Sequence, residues 1–138
     1  MYREYFLSTL ETVKAVEGFQ SLGHLDYIVR YGYTKEKEYS YYKYAEIIDE
    51  ILRELIRKGI ALEVNTGGLK SGLSFPNPHP VILKRYKELG GSMVTVGSDA
   101  HIPEHIGYQF QILPQILSDA GFRYVTQFRE RKPEFIKI

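Results

Sequence analysis

The sequence predicts an α/β protein in which parallel strands alternate with helices. Two short apolar runs, Ile60-Ala61-Leu62-Glu63-Val64 and Met93-Val94-Thr95-Val96, each follow a segment of helical periodicity and each end in polar, glycine-containing sequence. That rhythm is the signature of β/α units with a parallel sheet. Length is the third observation, because 138 residues allow one domain with one sizeable core and leave no room for a second. The balance of 18 Lys and Arg against 17 Asp and Glu, scattered through the chain, gives no electrostatic reason to expect nucleic acid. No apolar run approaches the length of a membrane span. With no cysteine, disulfides and thiolate ligands are excluded, so any metal must rest on His, Asp or Glu. The start, Met1-Tyr2-Arg3-Glu4-Tyr5-Phe6, lacks the layout of a secretion signal, which makes a cytoplasmic location the expectation.

Element by element, Tyr5, Leu7, Leu10, Val13 and Val16 recur at helical spacing and predict a helix over 2–17, stopped by Gly18. Phe19 to Leu25 reads as a short buried strand ending at His24. The segment 33–44, YTKEKEYSYYKY, is charged and tyrosine-rich without alternation and predicts an exposed connection with surface tyrosines. Ala45, Ile48, Ile51, Leu52, Leu55 and Ile56 mark one face of a helix over 42–58, which Gly59 closes. A strand over 60–64 comes next, then NTGGLKSG breaks into loop. Pro76, Pro78 and Pro80 bracket His79, which reads as a loop or helix-start residue before a helix over 81–89. The strand 93–96 precedes a further helix over 105–120, ended by Gly121, and strands 124–128 and 134–138 predict a closing hairpin through 129–133.

Three predicted strand ends carry polar residues: Gly23-His24-Leu25-Asp26, Glu63-Val64-Asn65-Thr66 and Gly97-Ser98-Asp99-Ala100-His101. In a parallel β/α array such ends lie on one rim, where these folds place their sites. Asp99 and His101 are two apart, so an extended backbone projects a carboxylate and an imidazole to one side, toward a point that one metal ion can occupy. A polar turn with Asp99 capping the next segment explains the same spacing. His24 alone is either a ligand or a hydrogen-bonded histidine, and Glu63 inside a buried strand demands a partner, a metal-bound histidine being one candidate. By residue type alone, Arg30 and Lys70 read equally as solvated surface charges.

Four segments in order, GHLDYIVRYG (23–32), LEVNTGGLKSG (62–72), PHPVILKRYKELGG (78–91) and VTVGSDAH (94–101), resemble the polymerase-and-histidinol-phosphatase superfamily, and within it the histidinol-phosphatase branch. The resemblance implies a distorted seven-stranded β/α barrel with a multinuclear centre of divalent metals, zinc, manganese or iron, at the carboxyl ends of its strands. Carried over by match, His24, Asp99 and His101 are metal ligands, Asp99 also accepts a proton from water, and Arg30 binds the substrate phosphate. Lys70 joins Arg30 in binding phosphate, where relatives commonly show arginine. Glu63, Asn65 and His105 are candidates to line the pocket. The likeness covers the C-terminal half of the family fold only, so residues 1–138 are expected to be a partial domain, and the family's N-terminal His-x-His has no counterpart because the first histidine is His24. The implied activity is hydrolysis of a phosphate monoester, L-histidinol phosphate in histidine biosynthesis, with a missing N-terminal half or a second copy of the chain as partner. The alternative is a metal-binding or subunit-interaction module without catalysis.

Overall fold

Apolar residues spaced on one helical face account for the first layer. The computed structural model, which describes residues 1–138, has helix α1 at Tyr2–Ala15, burying Phe6, Leu10 and Val13, and helix α2 at Ala45–Lys58, burying Ile47, Ile48, Ile51, Leu52 and Leu55. The expected end of α1 at residue 17 is two residues late, since Val16 already has extended backbone. Gly59 ends α2 in the left-handed conformation at φ 68°, its N–H donating to the Ile56 carbonyl while the Ile60 N–H donates to that of Leu55. This paired closure needs a residue without Cβ strain and turns the chain directly into the next strand.

That strand is the centre of the sheet. Strand β1 (Ser21–Leu22) pairs in parallel with β2 (Ala61–Asn65), and β2 pairs in parallel with β3 (Val94–Gly97), in the order β1-β2-β3. Ser21 lies beside Ala61 and Val64 beside Val96, so the three carboxyl ends stand side by side as the β/α rhythm predicts. β1 and β3 each have a strand partner on one side only. Before the third helix of the layer lies α3, a single helical turn at Gly67–Lys70, inside what reads as a glycine-rich loop. Helix α4 (Pro80–Glu88) buries Ile82, Leu83 and Tyr86, and α1, α2 and α4 pack successively beside the sheet.

Two expectations need correction. The helix over 105–120 is broken: short 3₁₀ turns occupy Pro103–His105 and Phe110–Ile112, and only Leu113–Asp119 forms α5. Gly107 at φ 69° and Gln109 at φ 58° are both left-handed, and a right-handed helix cannot pass through them. The tyrosines of 33–44 are not all superficial, because Tyr39 and Tyr41 are buried by the 3₁₀ turns at Lys35–Lys37 and Tyr41–Lys43, whereas Tyr33 and Tyr42 are exposed. The closing hairpin is present as β4 (Tyr124–Arg129) and β5 (Lys132–Lys137), with a connection shorter than expected. Glu130 and Arg131, at φ 50° and 66°, make the whole turn, in the doubly left-handed geometry that matches strand twist.

Asp49 ties α2 to α4: Arg85 donates to it from Nε and Nη2, and the Tyr41 hydroxyl donates at 2.5 Å. Partial burial works to raise the Asp49 carboxyl, but the hydrogen bonds from Arg85 and Tyr41 outweigh it and hold the group below the usual carboxylate range. Tyr41, by burial and its bond to Asp49, is pushed up to about 12. A carboxyl with a lower pKa folded than unfolded stabilises fully above the unfolded value, about 3.9, and loses that contribution as pH falls through the folded value. Stability should therefore drop below that region in acid-unfolding curves, and Asp49→Asn should flatten the slope there while lowering the stability at neutral pH. In the core, Leu52→Ala should cost about 2–5 kcal/mol in chemical denaturation, because Leu52 is fully buried and the truncation leaves a cavity.

Candidate active site at the strand carboxyl ends

The site is organised by a buried cation. Arg30 leaves the 3₁₀ helix Tyr27–Tyr31 and is only 7% exposed, so the reading as a solvated surface charge does not hold. An arginine that deep must have its N–H groups answered. Its Nε donates to Asn77 Oδ1 at 2.7 Å, Nη1 to Asp99 Oδ2 at 2.7 Å and Nη2 to Asn65 Oδ1 at 3.2 Å. One N–H on each terminal nitrogen remains. The guanidinium thus fastens the end of β2, the loop after β3 and the proline-flanked Asn77 to one another.

The bonds continue outward in both directions. Asn65 Nδ2 donates to Glu63 Oε1 at 2.9 Å, which also accepts the backbone N–H of His24 at 3.0 Å, so the partner demanded by Glu63 is the His24 backbone and not its ring. Asn77 Nδ2 donates to Asp26 Oδ1 at 2.7 Å, and Asp26 Oδ2 accepts the His79 N–H at 2.9 Å and the Tyr39 hydroxyl at 3.0 Å. Burial raises the Asp26 carboxyl above the usual range although three donors face it. At Asp99 the sign is opposite: the hydrogen bond from Arg30 lowers its pKa against partial burial, helped by the charge of Arg30 and by His24 and His101. Asp99 is therefore the ionised partner of the cation.

Glycines make the space for this network. A Cβ at Gly97 would lie 2.6 Å from Glu63 Oε2, one at Gly67 2.8 Å from Arg30 Nη2, and one at Gly68 2.7 Å from Asn77 Oδ1. No side chain fits at any of the three without displacing a polar group.

The remaining expected residues surround this core. The His24 ring stacks on Tyr27 with centroids 4.3 Å apart, and its Nδ1 is buried without a hydrogen-bond partner. His24 and Asp99 both adopt positive φ, 24° and 54°, a strained conformation for residues with a Cβ. His101 is exposed, with Nδ1 2.9 Å from the Asp99 carbonyl, and Lys70 Nζ donates to that same carbonyl at 3.0 Å. His105 stands edge-on to Tyr108, whose ring lies 6.0 Å from Lys70 Nζ. His79 caps α4 through Nδ1, as its place among prolines predicts. His24, Asp99 and His101 share the rim, but no three His, Asp or Glu side chains are drawn together closely enough to hold a metal by themselves. Arg30 occupies one Asp99 oxygen, and His101 turns Nδ1 back on the Asp99 backbone.

Fold and site together define an α/β protein whose polar centre sits at the carboxyl ends of parallel strands. No protein-family model matches the chain. It is 39% identical over 111 residues to a probable histidinol-phosphatase of Clostridium acetobutylicum, covering 80% of this chain and 43% of that protein. It is 35% identical over 135 residues to the histidinol-phosphatase of Lactococcus lactis, covering 94% and 48%. The crystal structure of the Lactococcus lactis histidinol phosphate phosphatase, complexed with zinc, L-histidinol and phosphate, superimposes with a TM-score of 0.82 at 34% identity, covering 96% of this chain and 50% of that one. The chain is similar in sequence and structure to these histidinol-phosphatases and spans about half the length of the curated relatives it matches.

Sequence reasoning missed Asn77, Tyr39 and the role of Asp26. The signal available was a lone amide in Phe75-Pro76-Asn77-Pro78, since a polar residue between prolines has few backbone groups nearby to satisfy it. Asp26→Asn should lower stability by about 1–3 kcal/mol in urea denaturation at neutral pH, because its amide would set a donor against donors that now face a carboxylate.

Proposed function

We propose that this chain forms the C-terminal half of a metal-dependent phosphatase acting on L-histidinol phosphate, folded as part of a distorted seven-stranded β/α barrel. The observation that carries this reading is the meeting, at one strand-end rim, of buried Arg30, ionised Asp99 and the unpartnered imidazole nitrogen of His24. A buried ring nitrogen with no protein partner and, on the same strand-end rim, a carboxylate with one oxygen not taken by Arg30 match the donor chemistry of a divalent cation. His24, Asp99 and His101 would hold such cations, zinc as in the similar structure or manganese or iron, within a larger multinuclear ligand set completed by the other half of the enzyme. When bound, such ions lower the pKa of a coordinated water and so supply hydroxide near neutral pH.

This chain's own residues do the rest. Arg30, fixed on three sides, presents its remaining N–H groups to phosphate oxygens and stabilises the charge that gathers on them in the transition state. Asp99, kept ionised by Arg30, accepts a proton from the attacking water. Lys70 adds a point charge beside the Asp99 backbone, and Glu63 and Asn65 hold the His24 main chain and the Arg30 head in register. His105, edge-on to Tyr108, is the candidate to contact the substrate or its leaving group.

The free sides of β1 and β3 leave backbone groups for another chain to pair, so the missing half or a second copy of this chain is the expected partner. Light scattering of the isolated chain in the micromolar range should show assembly, and a stable monomer would oppose this. The alternative reading, a metal-binding module without catalysis, draws on the absence of a closed ligand trio. Kinetics of the complete assembly separate the two. Arg30→Lys, which keeps charge and loses the fork, should lower kcat/KM by roughly thirty- to a hundred-and-fifty-fold, equivalent to about 2–3 kcal/mol. Asp99→Ala should remove bound metal and activity together, and a complete assembly that binds metal yet hydrolyses no phosphate monoester would establish the module.

A further inference from the structure

The 3₁₀ helix that carries Arg30 also carries Tyr27, and the two are three residues apart. In this helix type residues i and i+3 eclipse, because the turn holds three residues. Its hydrogen bonding begins one turn earlier, where the Tyr27 N–H donates to the His24 carbonyl at 2.8 Å. His24, Tyr27 and Arg30 therefore form one column. The Tyr27 ring is stacked on the His24 imidazole at 4.3 Å with an interplanar angle of 28°, and the Arg30 Cζ lies 4.9 Å from the centre of the same ring. The Tyr27 hydroxyl is tied to that of Tyr31 at 2.7 Å.

Resting on the metal-site reading above, we propose that Tyr27 is a positioning residue that sets the His24 ring for its ligand. A metal-binding histidine is usually oriented by a hydrogen bond from its other ring nitrogen to a carboxylate or carbonyl. His24 has no such bond. Its carboxylate neighbour Glu63 accepts the His24 backbone N–H instead of a ring N–H, and Nδ1, the nitrogen left for the metal, has no partner. The stack on Tyr27 is an aromatic contact that bears directly on the plane of the ring. Because Arg30 rests on the same phenol, the ring also holds the imidazole at a set distance from the guanidinium, coupling the metal-binding and phosphate-binding halves of the site.

The test compares Tyr27→Phe, which keeps the ring and loses the tie to Tyr31, with Tyr27→Leu and Tyr27→Met, two apolar replacements without a ring. All are made in the complete assembly, with His24→Ala in parallel. Two readouts are taken. In metal-free NMR spectra the His24 ring protons should be shifted by the neighbouring aromatic ring in the unaltered chain and in Tyr27→Phe, and should lose that shift in whichever ringless variant folds. In zinc titrations by calorimetry the ringless variants should bind about ten- to a hundredfold more weakly, while Tyr27→Phe stays within about threefold. Ringless variants that bind zinc as tightly as the unaltered chain, or a Phe variant as weak as they are, would overturn the proposal. If His24→Ala leaves zinc affinity unchanged, the metal reading itself fails, and the NMR shift still decides whether Tyr27 orients His24.

Discussion

A positive charge taken out of water has to be answered on every side, and Arg30 is that charge here. Three of its nitrogens find three acceptors from separate parts of the chain: Asn65 at the end of β2, Asp99 after β3 and Asn77 in the segment before α4. Losing any one of them would leave a buried donor unpaired, a larger cost than the modest net worth of the bond itself. The same amides carry the network on to Glu63 and Asp26, so three carboxylates, with Asp99, and a guanidinium become one connected unit. Backbone bonds in both directions between Asn65 and Asn77 close the unit further.

The sheet explains why the unit sits where it does. Parallel register aligns the ends of β1, β2 and β3, and the residues just past those ends are the ones the network recruits. Close approach is possible because Gly67, Gly68 and Gly97 carry no Cβ where the polar groups pass. Strain collects in the same place: His24 and Asp99 hold positive φ at positions where glycine would be easier, and both are held there by bonds to Glu63, Arg30 and Lys70. The apolar layer of α1, α2 and α4 behind the sheet supplies the stability against which that strain is set.

The chain spans about half the length of its relatives, and β1 and β3 each have a strand partner on one side only. The cationic and carboxylate parts of the site are bonded to one another within the chain, whereas the buried Nδ1 of His24 has no hydrogen-bond partner and His101 is exposed. Tyr27 belongs to both parts, since it touches His24 and Arg30.

Periodicity made the helices around Leu52 and Ile82 and the strands around Leu62 and Val94 legible, because a buried face repeats at the spacing of the element that carries it. The same rhythm, with polar residues after each strand, placed His24, Asn65 and Asp99 on one rim. Choices made between neighbours distant in sequence could not be read in the same way. Arg30 looks like any surface arginine until Asn77, 47 residues on, accepts from it in the interior. Tyr39 looks like its exposed neighbour Tyr33 until Asp26 accepts its hydroxyl. The break at Gly107 and Gln109 is likewise a matter of backbone conformation that residue type alone does not declare. The sequence by itself determined which segments bury a face and which residue types stand at the strand ends, since both depend on local spacing. Only the tertiary structure decided which of those polar groups meet, because the need to satisfy a buried charge is settled between segments and not along one.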